Sequence, residues 1–298
     1  MKLVIENLSK TYPGNIQALV NINIEVDQGL FGILGPNGAG KSTLMRTIAT
    51  LQEPDIGSIH LDDINVLTEK TKVRKILGYL PQEFGVYPNL TANNMLNHIA
   101  VLKGVTIRGE RKELVDALLH KVNLWTYKNK NMGTFSNGMK QRFGIAQALI
   151  GDPTLIIVDE PTAGLDPAER NRFLNLLSEL GENVIVILST HIVDDVKELC
   201  SRMAIISEGR LLYIGSPGHA ISELNGKVWS RFVEKSELPE FRLSMNILFE
   251  KLIAGKQGIH VLSDEKPGPE FWQVQAGLED VYFAHLLRAG EQTSQLMN

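Results

Sequence analysis

The stretch GPNGAGKST, at residues 35–43, decides the fold of this 298-residue chain. It matches the phosphate-binding pattern G-x-x-x-x-G-K-[ST], in which the glycines let successive backbone N–H groups point at phosphate oxygens. The pattern predicts that Lys41 contacts the β- and γ-phosphates of a nucleotide and that the Ser42 hydroxyl contacts Mg²⁺. The predicted nucleotide-binding residues of this loop are Gly35, Pro36, Asn37, Gly38, Ala39, Gly40, Lys41, Ser42 and Thr43.

The residues on either side of this loop have the pattern of a strand and a helix. The apolar run LFGIL at residues 30–34 predicts a short strand, and residues 44–50 predict a helix. The motif requires this order, because the N-terminus of the helix adds a partial positive charge that faces the phosphates. A glycine-rich turn that contained Lys-Ser by coincidence would not need such a context.

A second apolar run ends in two carboxylates. LIIV at residues 155–158 predicts a strand buried in a parallel sheet, and Asp159 and Glu160 follow it directly. We predict that Asp159 holds Mg²⁺ and that Glu160 polarises a water for attack on the γ-phosphate. The alternative is a strand that ends in a solvated acidic turn, and the phosphate loop upstream favours the metal site.

The order of motifs over about residues 1–217 resembles that of the ATPase subunits of ABC transporters. Besides the loop and the acidic strand end, the resemblance depends on Tyr12, Gln82, the segment FSNGMKQR at residues 135–142, Gly164-Leu165-Asp166 and His191, in that order. It implies a P-loop NTPase (RecA-like) α/β fold, ATP and Mg²⁺ as cofactors, and ATP hydrolysis.

The resemblance also implies roles for single residues. Tyr12 offers a ring that stacks on adenine, although a tyrosine near a strand end more often serves packing. Gln82 approaches Mg²⁺ or the attacking water, Asp166 belongs to the nucleotide-binding set, and His191 donates to the γ-phosphate from the end of a predicted strand. The predicted catalytic residues are therefore Glu160, His191 and Gln82, and the predicted metal ligands are Ser42, Gln82 and Asp159.

The segment Ser136-Asn137-Gly138 predicts the start of a helix, with Ser136 as its N-cap and an anion site behind it. The resemblance implies that Ser136 and Gly138 grip a γ-phosphate held by a second subunit. The family pattern is L-S-G-G-Q, and here Phe135, Asn137 and Met139 replace the leucine, the first glycine and the glutamine. Asparagine tolerates a left-handed backbone, so we expect the function to survive.

Composition excludes several other classes of protein. The net charge of −4 and the absence of a long Lys/Arg run argue against nucleic acid as a partner. A GTPase would need N-K-x-D, and NKNM at residues 129–132 lacks the aspartate.

Cys200 is the only cysteine, which is typical of a reducing cytosol. No stretch approaches the ~18 apolar residues of a membrane span, so any pore must be a separate polypeptide.

The chain divides into two predicted domains. Residues 1–217 form the ATPase domain, with a helical insertion at about 87–150, and residues 218–298 form a small α+β accessory domain. In the second domain, strands are predicted for three short runs: KVWSRFV at residues 227–233, GIHVL at residues 258–262 and FWQVQ at residues 271–275. A helix is predicted to begin at residue 278. The end of the chain, LEDVYFAHLL at residues 278–287, resembles the ending of ATPase subunits of drug, antibiotic and polysaccharide exporters; a simple packing helix is the alternative.

The sequence therefore predicts the ATP-hydrolysing subunit of an ABC transporter, an exporter rather than an importer. It would act as a homodimer, peripheral on the cytoplasmic side of a bacterial membrane, with a separate permease that places a helix in a groove beside Gln82. Phe84, Val86 and Tyr87 are candidate contacts in that groove, or else core residues. The alternative function is a soluble ABC-type ATPase acting on ribosomes or DNA. Such proteins usually carry two ATPase halves or a long coiled-coil insertion, which this sequence lacks.

Overall fold

A computed structural model describes residues 1–82 and 84–296 of the chain. The strands are β1 (Lys2–Tyr12), β2 (Ile16–Asp27), β3 (Gly29–Leu34), β4 (Ile56–Leu61), β5 (Ile64–Asn65), β6 (Leu77–Leu80), β7 (Leu155–Asp159), β8 (Ile185–Thr190), β9 (Arg202–Ser207), β10 (Arg210–Gly215), β11 (Val228–Val233), β12 (Ile247–Ile253), β13 (Lys256–Leu262) and β14 (Trp272–Gln273). The helices are α1 (Lys41–Ile48), α2 (Lys70–Ile76), α3 (Ala92–Leu102), α4 (Arg108–Lys121), α5 (Asn137–Ala148), α6 (Pro167–Gly181), α7 (Val193–Leu199), α8 (Pro217–Glu223), α9 (Leu238–Ser244) and α10 (Leu278–Leu296).

A central six-stranded sheet in the order β10-β9-β3-β8-β7-β6 forms the middle of the molecule. All neighbouring strands in it are parallel except the edge strand β10, which runs antiparallel to β9. Every residue of β7 is buried, as the apolar run at residues 155–158 predicts for a strand with both faces covered. The carboxyl ends of β3, β7 and β8 therefore meet at one edge of the sheet.

A second sheet, β2-β1-β4-β5, is antiparallel and covers one face of the central sheet. In β2 the side chains of Ile22, Ile24 and Val26 are buried while the residues between them are exposed, as strict alternation predicts. These side chains share one apolar core with Phe31 of β3 and Leu44 of α1. The packing fixes the position of α1, and hence of the phosphate loop, against both sheets.

The helical insertion lies between β6 and β7, which are neighbouring parallel strands. It consists of α3, α4 and α5 with two short 3₁₀ turns at Trp125–Tyr127 and Met132–Thr134. Leu96, Leu119 and Phe143 are fully buried and join the core on the other face of the central sheet. The architecture confirms the predicted α/β fold with a helical insertion.

The last part of the chain forms a third sheet, β12-β13-β11-β14, with every pairing antiparallel. Helix α10 begins at Leu278, as predicted, and packs against α7, α8, β9 and β10 as well as β12. Val281 and Ala284 of this helix share a core with Val196 and Met203. The accessory region is thus joined to the first 217 residues by a common apolar core, and the boundary at residue 217 stays a prediction.

Among the described residues, no helix combines the length and the apolar character needed to cross a membrane.

Candidate active site

The loop between β3 and α1 needs glycine at two positions. Gly40, the N-cap of α1, has a φ of 100°, and a Cβ there would lie 2.3 Å from the carbonyl oxygen of Ala18. A Cβ on Gly35 would lie 2.3 Å from the carbonyl oxygen of Ile206. The loop can therefore wrap the start of α1 only because neither residue carries a side chain. The helix begins at Lys41, three residues earlier than predicted, so its N-terminus faces the loop directly.

The Lys41 side chain is buried and turned back onto its own loop. Its Nζ donates to the carbonyl oxygens of Gly35 at 2.7 Å and Pro36 at 3.1 Å, and lies 3.2 Å from Glu160 Oε1. Both charged side chains of this ion pair are 5% exposed. The ammonium is therefore held at the mouth of the phosphate loop, beside the carboxylate predicted to act on water.

A cavity of about 490 Å³ opens over the loop. A volume of this size suits a nucleotide. Its lining residues are Tyr12, Ile16, Gln17, Ala18, Asn37, Gly38, Gly40, Lys41, Ser42, Thr43, Gln82 and Glu160. Residues far apart in sequence, which the motif analysis assigned to the adenine, the phosphates and the attacking water, thus surround one space.

Tyr12 is fixed at this cavity by a residue that the motifs do not reveal. Its hydroxyl donates to Gln52 Oε1 at 2.9 Å and lies 3.5 Å from Thr43 Oγ1. The Gln52 amide in turn donates to the Thr43 carbonyl oxygen at 2.9 Å and to Thr47 Oγ1 at 3.0 Å. Gln52 follows α1 in an ordinary polar context, so the sequence gives no signal for this role.

Asp159 provides a buried oxygen that suits a metal ion. The residue is 3% exposed, and its Oδ1 has no hydrogen-bond partner among the described residues. Burial raises the pKa of Asp159, against the opposite effect of the nearby Ser189 and Ser42 hydroxyls. No cluster of three or more His, Cys, Asp or Glu side chains in the described part could hold a metal. The donor set fits Mg²⁺, which is commonly held by one or two carboxylates together with substrate phosphates.

Glu160 points away from Asp159 because its backbone is left-handed. Its φ is 50°, an uncommon conformation for a residue other than glycine, and its N–H donates to the Ser189 carbonyl oxygen at 2.9 Å. The carboxylate consequently contacts Lys41 through one oxygen and His191 Nδ1 through the other. His191 remains 46% exposed. The two neighbouring carboxylates therefore face different partners.

Three predicted nucleotide-binding residues outside the phosphate loop do not line this cavity, and neither do Gly35, Pro36 and Ala39 within the loop. Asp166 is exposed and caps α6, where its Oδ1 accepts from Glu169 N at 2.9 Å. Ser136 is exposed and caps α5, where its Oγ accepts from Met139 N at 3.2 Å. Gly138 lies in the first turn of the same helix. Within one chain these residues do not line the space over the phosphate loop, and their predicted contact with a nucleotide remains a prediction.

The signature segment at residues 135–142 packs against α6. A Cβ on Gly138 would lie 2.6 Å from Glu169 Oε2, and Arg142 Nε lies 3.2 Å from the same oxygen. Gly138 is therefore needed for packing. Asn137 is the first residue of α5 and is not among the described residues with a left-handed backbone. The tolerance of asparagine for that conformation therefore plays no part at this position.

Comparisons with known proteins agree on one family. The model of the family described as ABC transporter matches residues 19–163. The linearmycin resistance ATP-binding protein LnrL of Bacillus subtilis is 38% identical over 226 residues, which cover 75% of this chain and 72% of that protein. The probable multidrug ABC transporter ATP-binding protein YbhF of Escherichia coli is 35% identical over 76% of this chain and 39% of its own length. The methionine import ATP-binding protein MetN of Bordetella pertussis is 34% identical over 89% of this chain and 74% of its own length.

Solved structures give the same result. A dimeric post-hydrolysis structure of the ATP-binding cassette MJ0796, bound to ADP and Pi, has a TM-score of 0.65 and 28% identity. The match covers 72% of this chain and 98% of the MJ0796 chain. The ATP-binding subunit of another ABC transporter has a TM-score of 0.67 and 27% identity, and covers 82% of this chain and 99% of that one.

Proposed function

This chain belongs to the family of ABC transporter ATP-binding proteins, and we propose that two copies of it hydrolyse ATP together to drive transport through a separate membrane permease. One observation carries the proposal: Tyr12, the phosphate loop, Gln82 and Glu160 converge on a single cavity. The dimeric MJ0796 cassette supports the pairing of two chains. A homodimer is the simplest pair, because this chain carries each family motif once and in competent form.

The residues around the cavity would divide the work of binding. Tyr12, held by Gln52, would stack on the adenine ring, and the loop N–H groups with Lys41 would bind the phosphates. Lys41 donates to the carbonyl oxygens of Gly35 and Pro36, which holds its ammonium beside the loop where the β- and γ-phosphates would bind. When bound by Ser42, Asp159 and Gln82, Mg²⁺ would neutralise charge on the phosphate oxygens.

Glu160 and His191 would act on the attacking water and the γ-phosphate. The Glu160 carboxylate would accept a proton from water as the water oxygen bonds to the γ-phosphorus and the bond to the β-phosphate oxygen breaks. This reaction gives ADP and inorganic phosphate. His191 touches the same carboxylate and is half exposed, so its ring can turn to donate to the γ-phosphate.

The Mg²⁺ assignment predicts a specific response to metal. Removing divalent ions with EDTA is expected to abolish ATP hydrolysis, and Asp159→Asn is expected to raise the Mg²⁺ concentration needed for half-maximal rate, because it weakens the buried oxygen ligand. Asp152→Asn is the matched control, since Asp152 is exposed near the other end of β7. The measurement is ATPase rate against Mg²⁺ concentration. Identical Mg²⁺ curves for wild type and Asp159→Asn would remove Asp159 from the metal site.

The permease would bind in a groove of about 630 Å³ between the central sheet and the helical insertion. Leu51, Tyr79 and Leu102 give it an apolar floor and rim, and Arg74 and Lys103 give it positive charge. An amphipathic helix with acidic side chains beside its apolar face would complement this groove.

Gln82, beside which the permease helix is expected from the sequence, does not line this groove, and neither do the three contacts expected with it. Phe84 and Val86 are partly buried against the main core, and a Cβ on Gly144 would lie 2.9 Å from the Phe84 ring. Their packing supports the core alternative for these two residues. Tyr87 is 63% exposed but does not line the groove.

The groove predicts a loss of membrane binding without a loss of ATPase activity. Leu102→Glu would place a charge on the apolar rim, where Leu102 is 74% exposed, so the monomer should fold normally. The measurement is the amount of this protein that co-purifies with solubilised membranes from the producing cells. We expect at least a tenfold lower amount for Leu102→Glu than for wild type, with ATP hydrolysis in solution unchanged. Leu243→Glu is the control, because Leu243 is 91% exposed on α9, outside the groove. Equal recovery of both variants would contradict the assignment.

We also infer export as the direction of transport. LnrL is named for linearmycin resistance and YbhF for multidrug transport, at 38% and 35% identity, whereas MetN is named for methionine import, at 34% identity. These names favour a transporter over an ATPase that acts on ribosomes or DNA. A permease in the groove would hold the chain at the cytoplasmic face of a bacterial membrane.

A further inference from the structure

Asp195 is a fully buried carboxylate on α7 that does not line the nucleotide cavity. Its Oδ2 accepts from Thr162 Oγ1 at 2.5 Å and from Thr190 Oγ1 at 3.3 Å. Its Oδ1 accepts from Arg170 Nε at 2.8 Å and forms an ion pair with Arg170 Nη2 at the same distance. One side chain therefore joins the segment that follows β7 and the last residue of β8 to the first turns of α6 and α7.

Each threonine lies within two residues of a side chain proposed to act in hydrolysis. Thr162 is two residues after Glu160, and it is 3% exposed. Thr190 immediately precedes His191 and is fully buried. Ile192 N, on the other side of His191, donates to Thr190 Oγ1 at 2.9 Å. The bonds to Asp195 thus fix the chain directly beside both catalytic side chains.

The backbone of Glu160 makes this support necessary. Its left-handed conformation is unfavourable for a residue with a side chain and persists only when the surroundings enforce it. On one side the bond from Glu160 N to the Ser189 carbonyl oxygen holds it. On the other side, the nearest side-chain anchor in the described chain is the bond from Thr162 to Asp195.

Arg170 supplies the charge that makes a buried Asp195 tolerable, since an unpaired buried carboxylate is strongly destabilising. Arg170 also lies 3.5 Å from Glu198, an exposed partner at the rim of the cluster. Another neighbour is the Cys200 thiol, whose pKa is raised to about 12 by burial and then by the charge of Asp195. The cluster is complete without any group from the nucleotide cavity.

We propose that Asp195 is a positioning residue for ATP hydrolysis, holding the loop of Glu160 and the strand end of His191 in a fixed relation through Thr162 and Thr190. The inference rests on the proposed roles of Glu160 and His191. It assigns Asp195 no contact with ATP, Mg²⁺ or water. Its effect should therefore appear in the rate of the chemical step and leave nucleotide affinity unchanged.

The test removes single hydroxyls from the full-length protein. Thr162→Val keeps the shape of the side chain and loses the bond to Asp195; we expect kcat to fall roughly tenfold, with the Kd for ATP unchanged. Thr162→Ser restores the hydroxyl and is expected to recover most of kcat. Thr154→Val is the matched control at the start of β7, because the Thr154 hydroxyl has no hydrogen-bond partner in the described structure. Full kcat in a folded Thr162→Val protein would overturn the proposal.

A double-mutant comparison separates positioning from general stability. If Thr162 acts through Glu160, Thr162→Val should cost little further rate in a Glu160→Gln background. An equal fold-loss in both backgrounds would show a purely structural role and overturn the proposal. Should Thr162→Val not fold, Thr190→Val is compared with and without His191→Ala by the same criterion. Wild-type protein that hydrolyses no ATP would instead contradict the proposed function itself.

Discussion

Replacing Glu160 by glutamine is expected to lower ATP turnover by roughly 10²–10⁴-fold, while ATP still binds. Glutamine keeps the size of the side chain but cannot accept the proton of the attacking water. The substitution also removes the ion pair between Glu160 and Lys41, which leaves the ammonium free to bind phosphate, so binding should be retained or tightened. The measurements are kcat from phosphate release and the Kd for ATP from equilibrium binding.

The matched control for this prediction is Glu208→Gln. Glu208 is exposed, lies outside the cavity and has a φ of 49°, close to that of Glu160, so the control makes the same chemical change on the same kind of backbone. We expect normal turnover from it. Near-normal turnover in Glu160→Gln would remove Glu160 from the role of general base.

The second large effect is expected at a residue outside the cavity. Ser136→Arg should abolish almost all ATP hydrolysis, because a cation and a long side chain would block the exposed N-terminus of α5, where a partner's γ-phosphate is proposed to bind. The lost cap should cost only about 1 kcal/mol of stability, so the chain should remain folded. Circular dichroism and ATPase rate together check both statements.

Ser216→Arg controls for the lost cap. Ser216 caps α8 by accepting from His219 N at 3.2 Å, the same distance at which Ser136 accepts from Met139 N. This variant should lose a similar amount of stability and keep its activity. Equal inactivation of the two variants would mean that the loss follows from the cap and not from the site.

Motifs with a fixed backbone chemistry could be found from the sequence. The phosphate loop, the acidic end of β7 and the cap at Ser136 each require particular residue types at particular spacings, and the structure places each at the predicted end of its element. The alternation in β2 and the buried run in β7 likewise follow from which faces are covered.

Residues that act through tertiary contacts could not be found in this way. Gln52 and Asp195 are single polar residues in ordinary surroundings, and only the fold brings them to Tyr12 and to Thr162. The edge strand β12 ends in exposed Leu252 and Ile253, so it lacks the alternation that indicates a half-buried strand. The hydrophobic periodicity of α10 and α7 likewise does not predict that these two helices pack against each other.

The proposal that two chains share each ATP site is tested most directly by mixing two inactive variants. Lys41→Ala removes the cation of the phosphate loop and Ser136→Arg blocks the signature, so each protein alone should be nearly inactive. In a mixed dimer one site would combine an intact loop with an intact signature, and the other would carry both lesions. We expect partial recovery of ATPase activity on mixing the two purified proteins. Wild-type turnover and ATP-dependent dimerisation in Ser136→Arg alone would contradict it.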